Sequence, residues 1–406
     1  MMKLVRLIGS LILLPLYWFS YFVPRNPKLW VFGSWFGKRY SDSSRYVYEY
    51  VNKHEKDIRA IWLTRDPNIT KHLRSQGYEA YHVSSLKGYW YTCRAGAALF
   101  TVNITDINTL GASKLLKFQL WHGIPLKKVV YDDVYHLPEQ HGSFIRQKLL
   151  KLKKLLLPFK DVYGKWDLVA STSPAVSTIF RSAFRLSEEY IPITGSPRGD
   201  IILDSSTSKP SIIQDILTDG EGGITKRIAY FPTHRIHTEE LSRFINSLET
   251  SGVPEFLEDQ QAVLYIKLHY YNLEQHNHAI RPKRIVLLQE HEVPDINYLL
   301  PWIDILITDY SSVFYDYLLL KRPIIFTPYD LSEYLTHDRE LYGNYEQLTP
   351  GPKCGTWEEV LTELTKLFSG QDIFFQQRKA MLEQYHTYSD TQNSKRVTQK
   401  LRSLLK

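Results

Sequence analysis

Short apolar runs alternate with polar stretches along most of the chain. Most of these runs end in or lead into Gly, Ser or Thr, and most are followed by a stretch that reads as a helix. In the first half they predict strands at Leu29–Phe32, Ile58–Leu63, Tyr78–Val83, Ala97–Val102, Phe118–Trp121, Leu168–Ser171 and Ile191–Thr194. A Ser-, Asp- and Gly-rich stretch, Ser205–Gly223, reads as a boundary. The alternation then resumes with Arg227–Phe231, Val263–Leu268, Arg284–Leu288, Ile305–Thr308 and Ile324–Phe326, and the tail from Trp357 reads as helices. Strand followed by helix, repeated, predicts parallel sheets covered by helices. The simplest architecture is two Rossmann-like α/β domains facing a cleft.

Two segments break this pattern. Leu7–Pro24 is an uncharged run flanked by Lys3, Arg6, Arg25 and Lys28. Its length is at the lower edge for a bilayer span, and Pro15 would kink a helix there. Tyr17, Trp18 and Tyr21 suit the headgroup layer. With no small-x-small cleavage site after it, the run reads as a membrane-associated segment rather than a secretory signal. An interfacial or re-entrant helix, a true span and a buried core helix remain alternatives. The second segment, Phe144–Lys160, interleaves Arg146, Lys148, Lys151, Lys153 and Lys154 with leucines. Lys148, Lys151 and Lys154 fall near one side of a helix and most leucines on the other. That is the pattern of a basic amphipathic helix on anionic lipid, with Arg146, Lys148, Lys151 and Lys154 as lipid contacts. Each such charge contributes about 1 kcal/mol near the surface. A helix that packs its leucines on the domain is the alternative.

Length and composition narrow the picture. The chain has 406 residues, more than one core normally serves. Its content of 43% hydrophobic and 23% charged residues is ordinary for a globular protein. The net charge of +7 calls for an anionic partner: nucleic acid, lipid or a phosphate-rich substrate. Cys93 and Cys354 form neither a C-x-x-C nor a metal-ligand pattern, so they read as reduced thiols in a cytosolic setting. The absence of G-x-G-x-x-G and G-x-x-x-x-G-K-[ST] argues against a dinucleotide dehydrogenase and a P-loop NTPase.

In open α/β sheets, ligands bind beyond the carboxyl ends of strands. Five polar clusters fall at such ends. WHGIPLKK offers His122 as a proton acceptor near neutral pH and Lys127 as a phosphate contact. GSPRGD offers Arg198 for bidentate phosphate binding, with Asp200 to orient it. FPTHR offers Thr233, His234 and Arg235, and KLH points Lys267 and His269 to one side of a strand. ILITDYSS, followed by a helix over Val313–Leu320, places Ser311 and Ser312 at a helix N-terminus suited to phosphate. Asp309 would cap that helix or orient a neighbouring donor. Each cluster alone is equally a structural histidine, a turn, a surface ion pair or a capping serine. Their joint placement at strand ends carries the argument.

These segments, WHGIPLKK, GSPRGD, FPTHR, KLH and ITDYSSVFYDYLLLKRPIIFTPYD in this order, together with the opening WVFGSWFGKRYSDSSRYVYEY, resemble the CDP-glycerol glycerophosphotransferase family of teichoic acid and capsule polyol-phosphate transferases. The resemblance spans about Leu29 to Asp390. It implies a GT-B-like fold with the donor bound mainly by the C-terminal domain. It implies catalytic histidines at His122 and His269 and donor-phosphate binding by Asp309 to Ser312. The domains expected are a membrane-associated segment over 1–25, an acceptor- and membrane-binding domain over 26–205, a donor-binding domain over 206–390 and a C-terminal helix over 391–406.

The expected reaction moves glycerol phosphate from CDP-glycerol to a hydroxyl of a lipid-linked or polymeric acceptor at the cytoplasmic face of the cell membrane. His122 would act as base, while His269, Arg235, Ser311 and Ser312 stabilise the diphosphate. No metal site and no required cofactor are expected, with Mg²⁺ not excluded. The chain lacks a large extra domain, so a fused bifunctional polymerase is not expected. Rival readings are a CDP-ribitol donor, a GT-B nucleotide-sugar glycosyltransferase, and a non-catalytic membrane-surface scaffold. Basic residues beside leucines, rather than in an aromatic-basic strand platform, argue against nucleic acid.

Overall fold

The structure is a computed structural model that describes residues 2–133, 143–163, 166–204, 226–233, 235, 239–268, 284–289 and 292–405. The expected boundary at 205–223 therefore lies outside the described residues, as do His234 and His269. The chain forms two compact units. Unit 1 comprises Met1–His122, Val130–Asp200 and Asp390–Lys406, and unit 2 comprises Gly123–Val129 and Ile201–Ser389.

Unit 1 opens with helix α1 (Met2–Phe22), followed by β1 (Asn26–Gly33), α2 (Asp42–His54), β2 (Arg59–Thr64), α3 (Pro67–Ser75), β3 (Ala80–His82), α4 (Leu86–Arg94), β4 (Ala95–Phe100) and β5 (Leu116–Gln119). After α5 (Phe144–Leu156) come β6 (Leu168–Val169), α6 (Pro174–Phe184) and α7 (Pro197–Leu203). The strands form one parallel sheet in the order β3-β2-β1-β4-β5-β6. This is the doubly wound order, whose switch point lies between β1 and β4. β4 is buried along its whole length, because helices cover both faces of a central parallel strand. The core gathers Trp30, Phe32, Tyr48, Trp62, Leu99 and Phe118. The last helix, Asn393–Leu404, brings Val397 and Leu401 to the same core.

Unit 2 repeats the scheme with β7 (Lys226–Phe231), β8 (Ala262–Ile266), β9 (Ile285–Leu287), β10 (Ile305–Thr308) and β11 (Ile324–Phe326). Its parallel order, β11-β10-β7-β8-β9, puts the switch point between β7 and β10. Tyr230, Phe244 and Trp357 pack as an aromatic cluster in its core, with Phe244 stacked on Trp357 and Tyr230 edge-on to it.

Three expectations need correction. Ile191–Thr194 is not a strand: a single bridge joins Ile193 to Ser171, because Pro192 has no N–H to extend a ladder. The helix expected over Val313–Leu320 is α-helical only over Val313–Tyr317, continues as a 3₁₀ turn over Leu318–Leu320 and ends at the left-handed Lys321. The basic amphipathic helix ends at Leu156, before a 3₁₀ turn over Pro158–Lys160.

Both unusual helices leave their apolar side chains in the open. On α1, Ser10 and Ser20 are buried while Ile12, Trp18, Phe19 and Phe22 are exposed, Phe22 to 80%. On α5, Phe144, Ile145, Leu149, Leu152, Leu155 and Leu156 are exposed and Leu150 is half-buried, so most of its leucines do not pack on the domain. Among the described residues, no helix is long and apolar enough to cross a membrane.

Candidate functional site

The polar clusters of unit 1 meet beyond the carboxyl ends of β1, β4 and β5. β5 delivers Gln119, whose side chain is fixed from both sides: its amide donates to the Val102 carbonyl at 2.8 Å, and its oxygen accepts from the Trp121 amide at 3.0 Å. Trp121 takes a left-handed conformation (φ 56°), and His122 follows it, half-buried between the rings of Trp121 (4.3 Å) and Trp35 (5.6 Å). Arg198 donates from Nη1 to the His122 carbonyl at 3.0 Å, and its Nε lies 3.7 Å from Asp42 Oδ1. The Trp35 indole donates to Asp42 Oδ2 at 3.2 Å. GSPRGD therefore does meet WHG, but Arg198 grips main chain and Asp42. Asp200, expected to orient Arg198, instead accepts from the amides of Asn393 and Ser394 and anchors the last helix.

Asp42 and Trp35 were not singled out from the sequence, although they lie in the WVFGSWFGKRYSD segment that carries part of the resemblance. Trp35, Phe36, Asp42 and Trp121 all have positive φ. Such conformations cost about 1–3 kcal/mol each for non-glycine residues and concentrate at functional sites. Asp106 holds the loops in place by accepting from the amides of Phe36, Thr101 and Val102. Burial pushes its carboxyl up to about 6, against those hydrogen bonds. Gly33 is required at the end of β1, because a Cβ there would sit 2.2 Å from the Asp106 carbonyl oxygen.

In unit 2 the clusters converge at the β7/β10 switch point. Asp309, fully buried, accepts from the Thr233 amide at 2.8 Å and pairs with Arg235 Nη1 at 2.7 Å. Arg235 also forks onto Asp330, with Nε and Nη2 at 2.5 and 3.0 Å, and the Tyr310 hydroxyl donates to the same carboxylate at 2.9 Å. Burial opposes the Arg235 charge, but Asp309 and Asp330 outweigh it and hold the guanidinium above its ordinary pKa. With a side chain only 2% exposed, Arg235 braces the loop from inside. Asp309 does not cap the helix but orients the neighbouring Thr233 amide and Arg235. Asp330, the last residue of the ITDYSSVFYDYLLLKRPIIFTPYD segment that carries part of the resemblance, was also not singled out.

Thr233 Oγ1 is buried and has no hydrogen-bond partner among the described residues. Ser311 and Ser312 are half-buried beside Asp309, and the Ser312 side chain does not cap the short helix it precedes. Lys127 is tied into this unit by a bridge to Leu341, with its ammonium 5.8 Å from the centre of the Tyr334 ring. Burial, then Arg339, pushes its pKa down to about 8 against the pull of Asp309 and Asp338. Lys267 donates to the Val293 carbonyl. Arg146, Lys148, Lys151 and Lys154 lie on α5, with Lys154 paired to Asp161 at 3.4 Å. Cys93 and Cys354 are buried and unbridged. No group of three or more His, Cys, Asp or Glu among the described residues could hold a metal ion.

Comparison with known proteins agrees with these motifs. The sequence profile of the CDP-glycerol:poly(glycerophosphate) glycerophosphotransferases matches residues 16–403. A teichoic acid glycerol-phosphate transferase of Staphylococcus aureus (strain NCTC 8325 / PS 47) is 28% identical over 382 residues, 92% of each chain. A teichoic acid poly(glycerol phosphate) polymerase of Bacillus spizizenii (strain ATCC 23059 / NRRL B-14472 / W23) is 31% identical over 353 residues, covering 85% of this chain and 84% of that one. A structure of the wall teichoic acid polymerase TagF soaked with CDPG superposes with a TM-score of 0.73 at 26% identity, covering 94% of this chain and 90% of that one. The chain belongs to the CDP-glycerol:poly(glycerophosphate) glycerophosphotransferase family.

Proposed function

We propose that the protein transfers glycerol phosphate from CDP-glycerol to a hydroxyl of a lipid-linked or polymeric cell-surface acceptor, at the cytoplasmic face of the cell membrane. The acceptor oxygen attacks the β-phosphorus, the bond from that phosphorus to the bridging oxygen breaks, and CMP leaves. The hydroxyl proton passes to the imidazole of His122. Phosphoryl transfer asks a protein mainly for positioning and charge stabilisation. In this reading unit 1 serves the acceptor and unit 2 binds the donor. Lys127, Thr233, Ser311 and Ser312 contact the diphosphate, joined by His269. Arg235 and Asp309 hold the donor loop in shape, and Arg198 holds the backbone of His122. Exposed α1 and α5 rest on the membrane as peripheral or monotopic anchors.

The observation that carries the donor assignment is the Thr233 hydroxyl, buried without a partner among the described residues at the β7/β10 switch point in a chain of this family. Buried polar atoms are nearly always hydrogen-bonded, so such an atom at a ligand-binding strand end supports a role as a contact for bound substrate. The test is transfer of label from CDP-[³H]glycerol to a membrane extract of the host. Label in a lipid or polymer fraction is expected. Transfer from labelled CDP-ribitol or a nucleotide sugar, with none from CDP-glycerol, would overturn the donor.

A further inference from the structure

At the amino ends of β4, β5 and β6, the opposite end of the unit 1 sheet from His122, lies a cavity of about 430 Å³. That is large enough for a small ligand. Arg25, Lys114 and Lys117 line it against a single carboxylate, Asp167. Among the described residues, none of the three cations is ion-paired with a carboxylate. The Arg25 guanidinium donates to the carbonyls of Thr92 (2.6 Å) and Gly111 (3.2 Å) and to the Ser113 hydroxyl (3.2 Å), which fixes its charge in place. The Lys114 ammonium stands 4.0 Å from the centre of the Tyr21 ring on α1. Burial pushes the pKa values of both Arg25 and Lys117 down, the penalty that a bound anion relieves.

A second cavity of about 180 Å³ shares Lys117 and adds Tyr17 of α1, Lys154 of α5 and Phe159. The rings of Tyr17 and Phe159 are 6.0 Å apart. The cationic cavities thus adjoin both helices whose apolar side chains are exposed. An apolar surface bordered by half-buried and exposed cations matches an anionic bilayer, whose acyl layer and phosphate layer are arranged in the same way.

We propose that the cavity among Arg25, Lys114 and Lys117 is a phosphate site that takes the headgroup phosphodiester of an anionic phospholipid when α1 and α5 lie on the membrane. The inference rests on the membrane-surface reading above and adds a defined lipid-binding site to it.

The test is flotation of the full-length protein with phosphatidylcholine vesicles, with and without phosphatidylglycerol. Lys114→Gln combined with Lys117→Gln is expected to lose about tenfold or more of the phosphatidylglycerol-dependent binding while its binding to phosphatidylcholine alone is unchanged. Exposed Lys114→Gln alone is expected to lose part of it, and serves if the double variant fails to fold. Lys53→Gln with Lys56→Gln, a charge-matched pair at and just after the C-terminal end of α2 that lines neither cavity, is expected to bind like the parent. Equal loss in that control pair, or parental binding in the cavity variants, overturns the site. Displacement from vesicles by millimolar soluble glycerol phosphate would make it a free-phosphate site and also overturn the proposal. If Trp18→Ser with Phe22→Ser abolishes vesicle binding while the lysine variants bind normally, the membrane reading stands and the pocket alone falls. If the parent binds no vesicle, both fall.

Discussion

Lys127 loses its proton the more easily because of burial and then of the nearby Arg339. Its pKa of about 8 lies below the ordinary lysine range, so the free protein sheds that charge as pH rises through 8. The unfolded chain keeps the proton to higher pH, so folding stability rises with pH across the same window while phosphate attraction fades. kcat/KM for the donor, which reports the free enzyme, is therefore expected to fall above about pH 8. Lys127→Arg should shift that limb to higher pH, and an unshifted limb removes Lys127 from donor binding. Asp42 acts on the other unit. It fixes Trp35 and faces Arg198, which holds the His122 carbonyl. Asp42→Asn should lower kcat by up to about 10²-fold through misplacement of the imidazole, with KM for the donor unchanged. A raised KM with normal kcat would contradict this role. The placement of Lys127, His122 and Thr233 beyond strand ends could be read from the sequence because each follows a recognisable apolar run. Asp42 could not, since its signature is a left-handed backbone (φ 68°) and a partner far along the chain. The burial of Arg235 could not be read, because Asp330, 95 residues away, is what turns its fork inward.

At the scale of elements, the strand positions were legible because central parallel strands are continuous apolar runs. Their ends were less so: β6 is only Leu168–Val169 where a longer strand was expected, and Pro192 prevents the next one. The amphipathic helix α5 was legible as a helix. What its leucines do was not, since periodicity is the same whether a face meets a core or a membrane. The last helix was read as a separate tail, yet Val397 and Leu401 are fully buried in the unit 1 core. Leu401→Ala should therefore destabilise the protein by about 2–5 kcal/mol, read as a fall in Tm. An unchanged Tm would mean that the helix is not part of that core.

At the scale of the whole molecule, the chain builds one doubly wound sheet, then a second, and returns to the first unit for its final helix. Strand–helix alternation announces two such sheets. It does not announce the return, or the assignment of Gly123–Val129 to unit 2 directly after His122 in unit 1. Both follow from packing between segments remote in sequence. Within each unit, the polar clusters fall at the carboxyl ends of strands around the switch point, where open α/β sheets bind ligands. That placement, with family membership, makes a phosphoryl-transfer enzyme the central claim. Its most direct test is acceptor-dependent CMP release from CDP-glycerol by the purified protein and by His122→Ala. CMP should form only with acceptor, and the variant should retain its Tm yet lose about 10²-fold or more of the rate. Undiminished release by His122→Ala would contradict the proposed base, and no release by the parent with any acceptor-containing extract that supports a related transferase would contradict the transfer itself.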